Sequence, residues 1–348
     1  MQKYPTINYI GNKLKVSDWI IENIPTDCNS ILDLFSGGCS VSYKLKSKGY
    51  KVISNDVLYS NFVLAKYLIE NNYEKLTIED IKNIQIMDEE VDEKFDEIKF
   101  LVNKLYFDYE VKELAELLVL SKKLKGYKKF IFLSLLRRAM IRKIPYSRMN
   151  IKWEEIVKLR DEEYSYKKYK RYRSYHNKSF MYHIESYLDE YNNAIFDNNQ
   201  KNKAYQCDCL NLIKRINCGY DLVYIDPPYP STMNNYDAFY GYFDDINSKK
   251  RKVKLDLTKK QTFIINLEKI INQILKSDAK YVMISLNNKT NPTTEDICFM
   301  LSKYAEKIDV KSKDHVYKVT GKENKNTTKE ILILAKLKGG NKNEKTSD

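Results

Sequence analysis

Asp221-Leu-Val-Tyr-Ile-Asp226-Pro-Pro-Tyr229 predicts a strand that ends in a rigid, polar turn. Residues 222–225 form a short apolar run rich in β-branched and aromatic side chains, which is typical of a buried strand. The strand must end at Asp226, because the two prolines that follow lack a backbone donor and fix their own φ angles. The turn therefore carries a carboxylate, a carbonyl and the ring of Tyr229. In open α/β sheets, ligands bind at this carboxyl edge.

A glycine-rich turn follows a second predicted strand, residues 30–35, and precedes a helix. This turn, Ser36-Gly37-Gly38-Cys39-Ser40, lets the backbone approach a ligand closely. It lacks the third glycine of the dinucleotide fingerprint and the Gly-Lys-Ser/Thr ending of a phosphate loop, so it favours a ligand without a pyrophosphate. About twenty residues later a strand ends in Asp56, at the position of an acid that binds ribose hydroxyls. With Asp33 placed to reach the same cavity, we expect a nucleoside cofactor such as S-adenosylmethionine.

The basic residues of this 348-residue chain are concentrated in one region. The net charge is +13, and residues 121–180 hold 19 Lys and Arg against 5 Asp and Glu, which accounts for all of that excess. A genome rich in A and T would also raise the lysine content, but it would spread lysine evenly. The clustering therefore favours a nucleic-acid-binding face.

Several other classes of protein are disfavoured by the sequence. No apolar run has membrane-spanning length, and the amino terminus lacks the apolar core of a signal peptide. Cys207 and Cys209 have no second pair at zinc spacing, so they are interpreted as thiols within a strand, and no metal site is expected. We expect no membrane association and an intracellular location.

Two segments in the middle of the chain are candidates for nucleic-acid binding. The first is a predicted amphipathic helix at residues 130–143, and the second alternates tyrosine with lysine and arginine at residues 164–176. Cations pair with phosphates, while aromatic rings stack on bases or wedge between them. The alternative is a solvated basic segment in a tyrosine-rich protein. The predicted DNA-binding residues are Arg137, Arg138, Arg142, Lys143, Arg148, Lys168, Arg171 and Arg173.

The α/β alternation resumes after residue 200. A strand-like run over residues 203–210 contains Asp208, placed to accept a hydrogen bond from a cofactor adenine, and residues 231–245 suggest a mobile aromatic lid. The predicted fold is a Rossmann-like α/β sheet with helices on both faces, plus an inserted, mostly helical domain. We expect one domain at residues 1–70 and 200–337, an inserted domain at 71–199, and a disordered tail at 338–348.

With these segments identified, the sequence resembles the alpha group of amino-directed DNA methyltransferases, the Dam-like adenine-N6 family. Asp226-Pro-Pro-Tyr229 resembles the catalytic motif of that family, and Tyr9-Ile-Gly-Asn-Lys13 resembles its amino-terminal cofactor motif. Residues 33–38 resemble the Asp-x-Phe-x-Gly-x-Gly motif, although Cys39 replaces the final glycine. The order of these motifs also resembles the alpha group, in which the recognition domain lies between the glycine turn and the catalytic motif. The resemblance therefore implies a catalytic domain at residues 1–70 and 200–337 and an inserted DNA target recognition domain at 71–199.

The resemblance implies roles for individual residues. Asp226 and the carbonyl of Pro227 would accept hydrogen bonds from the exocyclic amine of a flipped base, and Tyr229 would stack on its ring. Asp208 would hold the cofactor adenine. The implied catalytic residues are Asp226, Pro227, Pro228 and Tyr229. The implied contacts of S-adenosylmethionine are Tyr9, Lys13, Asp33, Phe35, Ser36, Gly37, Gly38, Asp56, Asp208 and Asp226.

The predicted function is transfer of a methyl group from S-adenosylmethionine to N6 of adenine in double-stranded DNA, as the modification enzyme of a restriction-modification system. A partner restriction endonuclease is therefore expected. The same interpretation implies a cytoplasmic location in a bacterium, associated with the nucleoid. Methylation of cytosine N4 in DNA or of adenine N6 in RNA stays open. An alternative of a different class is a non-catalytic specificity module that binds DNA.

Overall fold

The computed structural model describes residues 2–147, 149–228, 230, 235–249, 255–314 and 329–339. The chain divides by its internal contacts into two compact units. The sheet unit comprises Asn12–Val57, Asn198–Asn234 and Lys252–Asp348. The helical unit comprises Met1–Gly11, Leu58–Asp197 and Asn235–Arg251. That the two units act as catalytic and target recognition domains stays a prediction.

Strands and helices alternate in the sheet unit, and helices alone form the regular structure of the helical unit within the described residues. The strands are β1 (Ser30–Asp33), β2 (Lys51–Asp56), β3 (Lys203–Gln206), β4 (Leu222–Ile225), β5 (Tyr281–Asn287), β6 (Ala305–Asp314) and β7 (Lys329–Leu337). The α-helices are α1 (Ser17–Glu22), α2 (Ser40–Ser47), α3 (Tyr59–Ala65), α4 (Ile78–Lys82), α5 (Asp88–Ile98), α6 (Asp108–Lys123), α7 (Gly126–Arg142), α8 (Trp153–Arg160), α9 (Glu162–Tyr169), α10 (Phe180–Asn193), α11 (Cys209–Arg215), α12 (Tyr236–Ile246), α13 (Phe263–Ile274) and α14 (Thr294–Ser302). A π-helix, Lys66–Glu70, continues α3, and short 3₁₀ turns occupy Lys99–Leu101, Pro145–Ser147 and Ser174–Asn177.

The seven strands form one sheet with the order β3-β2-β1-β4-β5-β7-β6. The first five are parallel, whereas β7 runs antiparallel to both of its neighbours. The chain order reverses between β1 and β4, so their carboxyl ends flank the switch point at which α/β sheets bind ligands. This architecture confirms the predicted Rossmann-like fold.

The core of the sheet unit explains why its central strands are continuously apolar. All four residues of β4 are buried, because parallel strands are covered on both faces. On one face, Val223 and Ile225 belong to a cluster that includes Leu267 and Ile271 of α13 and Leu212 of α11. Burial of this central strand fixes the position at which the backbone leaves the sheet at Asp226.

The predicted strands and helices correspond to observed elements, with some differences at their ends. β3 ends at Gln206, so Cys207 and Cys209 follow the strand instead of lying within it. The mobility expected of residues 231–245 stays a prediction. Residues 236–246 form α12, in which Phe239 and Phe243 are buried by packing. Residues 340–348 of the predicted tail lie outside the described residues.

The helical unit is stabilised by long helices and a buried group of charges. Helix α7 packs against α3 and α10, and α6 packs against α5. Glu110 of α6 receives two hydrogen bonds from Arg160, at 2.9 and 2.7 Å, and lies 2.7 Å from the Lys143 ammonium group. Among the described residues, no helix is both long enough and apolar enough to cross a membrane.

Candidate active site and DNA-binding surface

Asp226 lies directly after β4, at the carboxyl edge of the sheet. Its Oδ1 is 3.3 Å from Nζ of Lys13, and the same ammonium is 3.0 Å from Oε1 of Glu330. The Lys13 and Glu330 side chains are 4% and 0% exposed, while that of Asp226 is 20% exposed. Ser285 of β5 donates a hydrogen bond of 2.6 Å to Glu330. Four separate segments of the sheet unit thus converge beside the Asp-Pro-Pro turn.

Burial raises the pKa of Asp226 to about 6. The positive charge of Lys13 opposes this increase, and the negative charge of Glu330 adds to it. Lysine alone would have lowered the pKa of a neighbouring carboxyl group. Asp226 is therefore ionised above about pH 6, and it then has a carboxylate that accepts hydrogen bonds.

The glycine turn after β1 is hydrogen-bonded to the end of β2. The Gly37 amide donates a 2.9 Å hydrogen bond to Oδ2 of Asp56, and the Ser36 amide donates one of 2.8 Å to the Asn55 carbonyl. Gly37 and Cys39 both have positive φ angles, 49° and 63°. Cys39 thus occupies a left-handed conformation that glycine adopts with less strain. Asp56 shapes this turn, a contact that the sequence did not predict.

Asp33 is the most deeply buried acid of the predicted cofactor site. Its Oδ2 accepts a 2.6 Å hydrogen bond from Ser42 of α2, whose hydroxyl receives a further one of 2.6 Å from Ser54 of β2. Burial raises the pKa of Asp33 to about 7; the Ser42 hydrogen bond opposes the rise, and the charges of Asp226 and Asp56 add to it. The charge interaction with Asp226 shows that these two acids belong to one electrostatic site.

Other predicted cofactor residues have structural partners as well. Asp208 is the N-cap of α11, where its Oδ1 accepts the amides of Leu210 and Asn211 at 3.1 and 3.3 Å. Phe35 is half-buried and packs against the core of the sheet unit. A role of Asp208 in holding adenine stays a prediction, with one oxygen already used by the helix cap.

Tyr9 belongs to the helical unit. Its ring stacks on Tyr236 and Tyr240, with centroids 5.7 and 5.1 Å apart, and the Ile10 amide donates to the Tyr240 hydroxyl at 2.8 Å. The division between the two units falls between Gly11 and Asn12, inside the motif that resembles the cofactor motif. Contact of Tyr9 with the cofactor stays a prediction from the resemblance.

Sequence reasoning missed Glu330 and Ser285. Glu330 is fully buried and opens the apolar run Ile331-Leu-Ile-Leu-Ala335 of β7. A lone acid in a strand buried on both faces was a usable signal, because carboxylates are rarely buried without a partner. Ser285 carried no comparable signal, since serine is common in strands and its hydroxyl requires only one neighbour.

Three of the predicted DNA-binding residues are buried, and for these the prediction of a direct phosphate contact is corrected. Lys143 is 1% exposed and pairs with Glu110. Arg137 and Arg138 are 1% and 4% exposed, and their guanidinium groups lie over the rings of Tyr240 and Tyr187. Lys143, Arg137 and Arg138 therefore contact protein groups and not solvent. They lie on the buried side of the helix, whereas the charge pattern of the sequence predicts an exposed position.

The remaining basic residues form the candidate DNA-binding surface of the helical unit. Lys168 and Arg171 are exposed, and Arg142 and Arg173 are half-buried. Arg173 and Arg142 lie over Tyr169 and Tyr175, with centroid distances of 4.4 and 3.8 Å. The Tyr166 and Tyr172 rings, both exposed, stack 4.4 Å apart. Arg148 and Tyr229 lie outside the described residues.

A Rossmann-like sheet, a glycine turn at its switch point and an Asp-Pro-Pro edge on the adjacent strand together define a methyltransferase. The chain belongs to the D12 class of N6 adenine-specific DNA methyltransferases, because the model of that family matches residues 9–282. This membership decides against cytosine N4, against RNA and against a non-catalytic module.

Curated relatives extend this result over nearly the whole chain. Type II methyltransferase M2.HphI of Haemophilus parahaemolyticus is 43% identical over 342 residues, which cover 95% of this chain and 98% of that protein. Modification methylase StsI of Streptococcus sanguinis is 24% identical over 94% of this chain and 42% of its own length. Type II methyltransferase M.FokI of Planomicrobium okeanokoites is 41% identical over 70 residues, 19% of this chain and 11% of that protein.

Proposed function

We propose that this enzyme methylates N6 of an adenine that has been flipped out of double-stranded DNA, with S-adenosylmethionine as the methyl donor. The observation that carries the proposal is the placement of Asp226 on the proline-rigid edge of β4, held by Lys13. Asp226 and the carbonyl of Pro227 are two acceptors on consecutive residues, which suits the two N–H groups of an exocyclic amine.

The charges and the backbone of the site fit S-adenosylmethionine. When bound, this cofactor supplies a methyl group on a positively charged sulfonium. Asp33, Asp226 and Glu330 are carboxyl groups, and Lys13 is the ammonium paired with two of them, so the cluster favours a cationic ligand. Gly37 and Gly38 would let the methionine part approach the backbone, and Asp56, Tyr9, Phe35, Ser36 and Asp208 are the further proposed contacts.

Asp226 and the Pro227 carbonyl would activate the amine by positioning. The lone pair of an adenine amine is delocalised into the ring, which makes it a poor nucleophile. Two hydrogen bonds that favour a pyramidal nitrogen would direct the lone pair towards the methyl group, without a covalent enzyme intermediate. The methylated nitrogen must then lose one proton, and the carboxylate of Asp226, with a pKa of about 6, is the acceptor already in contact with it.

Base extrusion requires binding energy from outside the catalytic edge. Unstacking and unpairing cost a few kcal/mol, and stacking of the base on Tyr229 would return about 1–3 kcal/mol. Phosphate contacts from Lys168, Arg171 and Arg173 would supply the remainder. These three residues alternate with tyrosines, so their aromatic neighbours are available for stacking.

A restriction-modification role is supported by the names of the relatives, two of which are type II methyltransferases and one a modification methylase. We propose that this enzyme protects a DNA site from a partner restriction endonuclease. Mapping N6-methyladenine in DNA from cells that express the protein identifies that site. Resistance of this DNA to the endonuclease then tests the pairing.

The catalytic proposal is tested with Asp226→Asn, which keeps the shape and removes the charge. We expect unchanged DNA affinity and loss of labelled methyl transfer by at least a thousandfold, about 4 kcal/mol of transition-state stabilisation. Asp309→Asn is the matched control, because Asp309 lies on β6 in a partly exposed pair with Lys307. Full methylation by Asp226→Asn, or a product other than N6-methyladenine, would refute the proposal.

A further inference from the structure

Glu330 is a buried acid that adds negative charge to the proposed cofactor site but has no part in the proposed activation of the amine. It lies on β7, opposite Asn287 of β5 and Lys313 of β6, and its side chain is fully buried. Removing a carboxylate from water costs several kcal/mol unless partners compensate. Its Oε1 accepts a hydrogen bond of 2.6 Å from the Ser285 hydroxyl and lies 3.0 Å from the Lys13 ammonium. Because β5 lies between β4 and β7, Glu330 holds the Lys13 ammonium from a strand that is not adjacent to β4.

We propose that Glu330 is a positioning residue for methyl transfer. It anchors Lys13, so that Lys13 orients Asp226 while the Asp226 carboxylate can still accept hydrogen bonds from the target amine. This inference rests on the proposed role of Asp226. The distances support it: the ammonium lies closer to Glu330, at 3.0 Å, than to Asp226, at 3.3 Å. Asp226 therefore shares one cation with a second acid and keeps acceptor capacity for the target amine.

Because Lys13 interacts with two acids, the pair Lys13 and Glu330 also affects the pH at which Asp226 ionises. Lys13 lowers the pKa of Asp226 and Glu330 raises it. Among the described residues, the charge of Asp226 also raises the pKa of Asp33 and of the buried Tyr224 phenol. Replacing Glu330 with a neutral residue leaves the ammonium to Asp226 alone, so the pKa of Asp226 must fall.

The test is the pH dependence of kcat for Glu330→Gln, with Glu306→Gln as the matched control. Glu306 is exposed on β6 and also pairs with a lysine, Lys336. We expect the acid limb of the Glu330→Gln profile to move to lower pH by about one unit. Asp226 and Glu330 contact the same ammonium, and a charge that close shifts the pKa of a carboxyl group by about 1–3 units. We expect kcat at pH 8 to fall about tenfold, because the acceptor is no longer held in its productive position.

Ser285→Ala keeps every charge in place and tests the same role if Glu330→Gln folds poorly. It removes the hydrogen bond that fixes Glu330, so we expect a smaller loss, about threefold in kcat, with the acid limb unmoved because the Glu330 charge remains. For Glu330→Gln, a uniform loss of rate at all pH values or a shift to higher pH would overturn the inference, and for Ser285→Ala an unchanged kcat would do so. If these profiles are unchanged while Asp226→Asn is inactive, only the inference fails; an active Asp226→Asn refutes the proposed function itself.

Discussion

The variant Lys143→Met tests whether Lys143 stabilises the protein or binds DNA. Lys143 and Glu110 are both 1% exposed and lie 2.7 Å apart. Removing one member of a buried ion pair costs about 3–5 kcal/mol, because the other charge stays buried. Arg160 still donates two hydrogen bonds to Glu110, so we expect the lower end of that range, about 3 kcal/mol. For a unit of this size, that loss lowers the melting temperature by roughly 6–12 °C.

The salt dependence of DNA binding provides the second measurement. Each phosphate contact contributes nearly one unit to the slope of log K against log salt concentration. Because Lys143 is buried, its replacement should leave that slope unchanged between 50 and 200 mM salt, while Lys168→Ala and Arg171→Ala should each reduce it by about one. A Lys143→Met protein with wild-type melting temperature and a reduced slope would contradict the reasoning.

Three further predictions concern stability. Burial lowers the pKa of His176 and His183 to about 4, so stability that is complete above pH 6.5 should fall as pH drops towards 4, by up to about 3 kcal/mol per histidine in urea titrations. Cys39→Val should destabilise by about 1–2 kcal/mol in the same assay, because φ is 63° there, whereas Cys39→Gly should not. Asp221→Ala should cost about 1–3 kcal/mol, because its carboxylate accepts three hydrogen bonds at the start of β1, two of them from Ser30; equal stability would contradict this.

Local sequence patterns were sufficient for the elements of the sheet. The apolar runs that became β4 and β5 are short, continuous and bounded by polar or proline residues, so burial on both faces could be predicted from them. The position of β7 between β5 and β6 was not predictable in this way. It depends on pairing between segments far apart in the chain, for which a single sequence contains no local signal.

The site shows the same division between local and distant information. Asp226 and the glycine turn were predicted because their chemistry is encoded within a few neighbouring residues. Charge pattern was misleading for Arg137 and Lys143, since a basic residue on an amphipathic helix pairs with phosphate or with protein according to what packs against it. The contact between Gly37 and Asp56 needed coordinates, because it joins the ends of two parallel strands.

The antiparallel strand β7 bears on the order in which this protein becomes active. The parallel part of the sheet joins segments separated by more than a hundred residues, and pairings of that kind form slowly. A partly folded chain in which only β1, β2 and β4 had paired would present the glycine turn and Asp226, but it would lack the acid on β7 that holds Lys13. On the roles proposed for these residues, such a chain would not yet position Asp226 for methyl transfer. Docking of β7 would then be the folding step that switches the enzyme on.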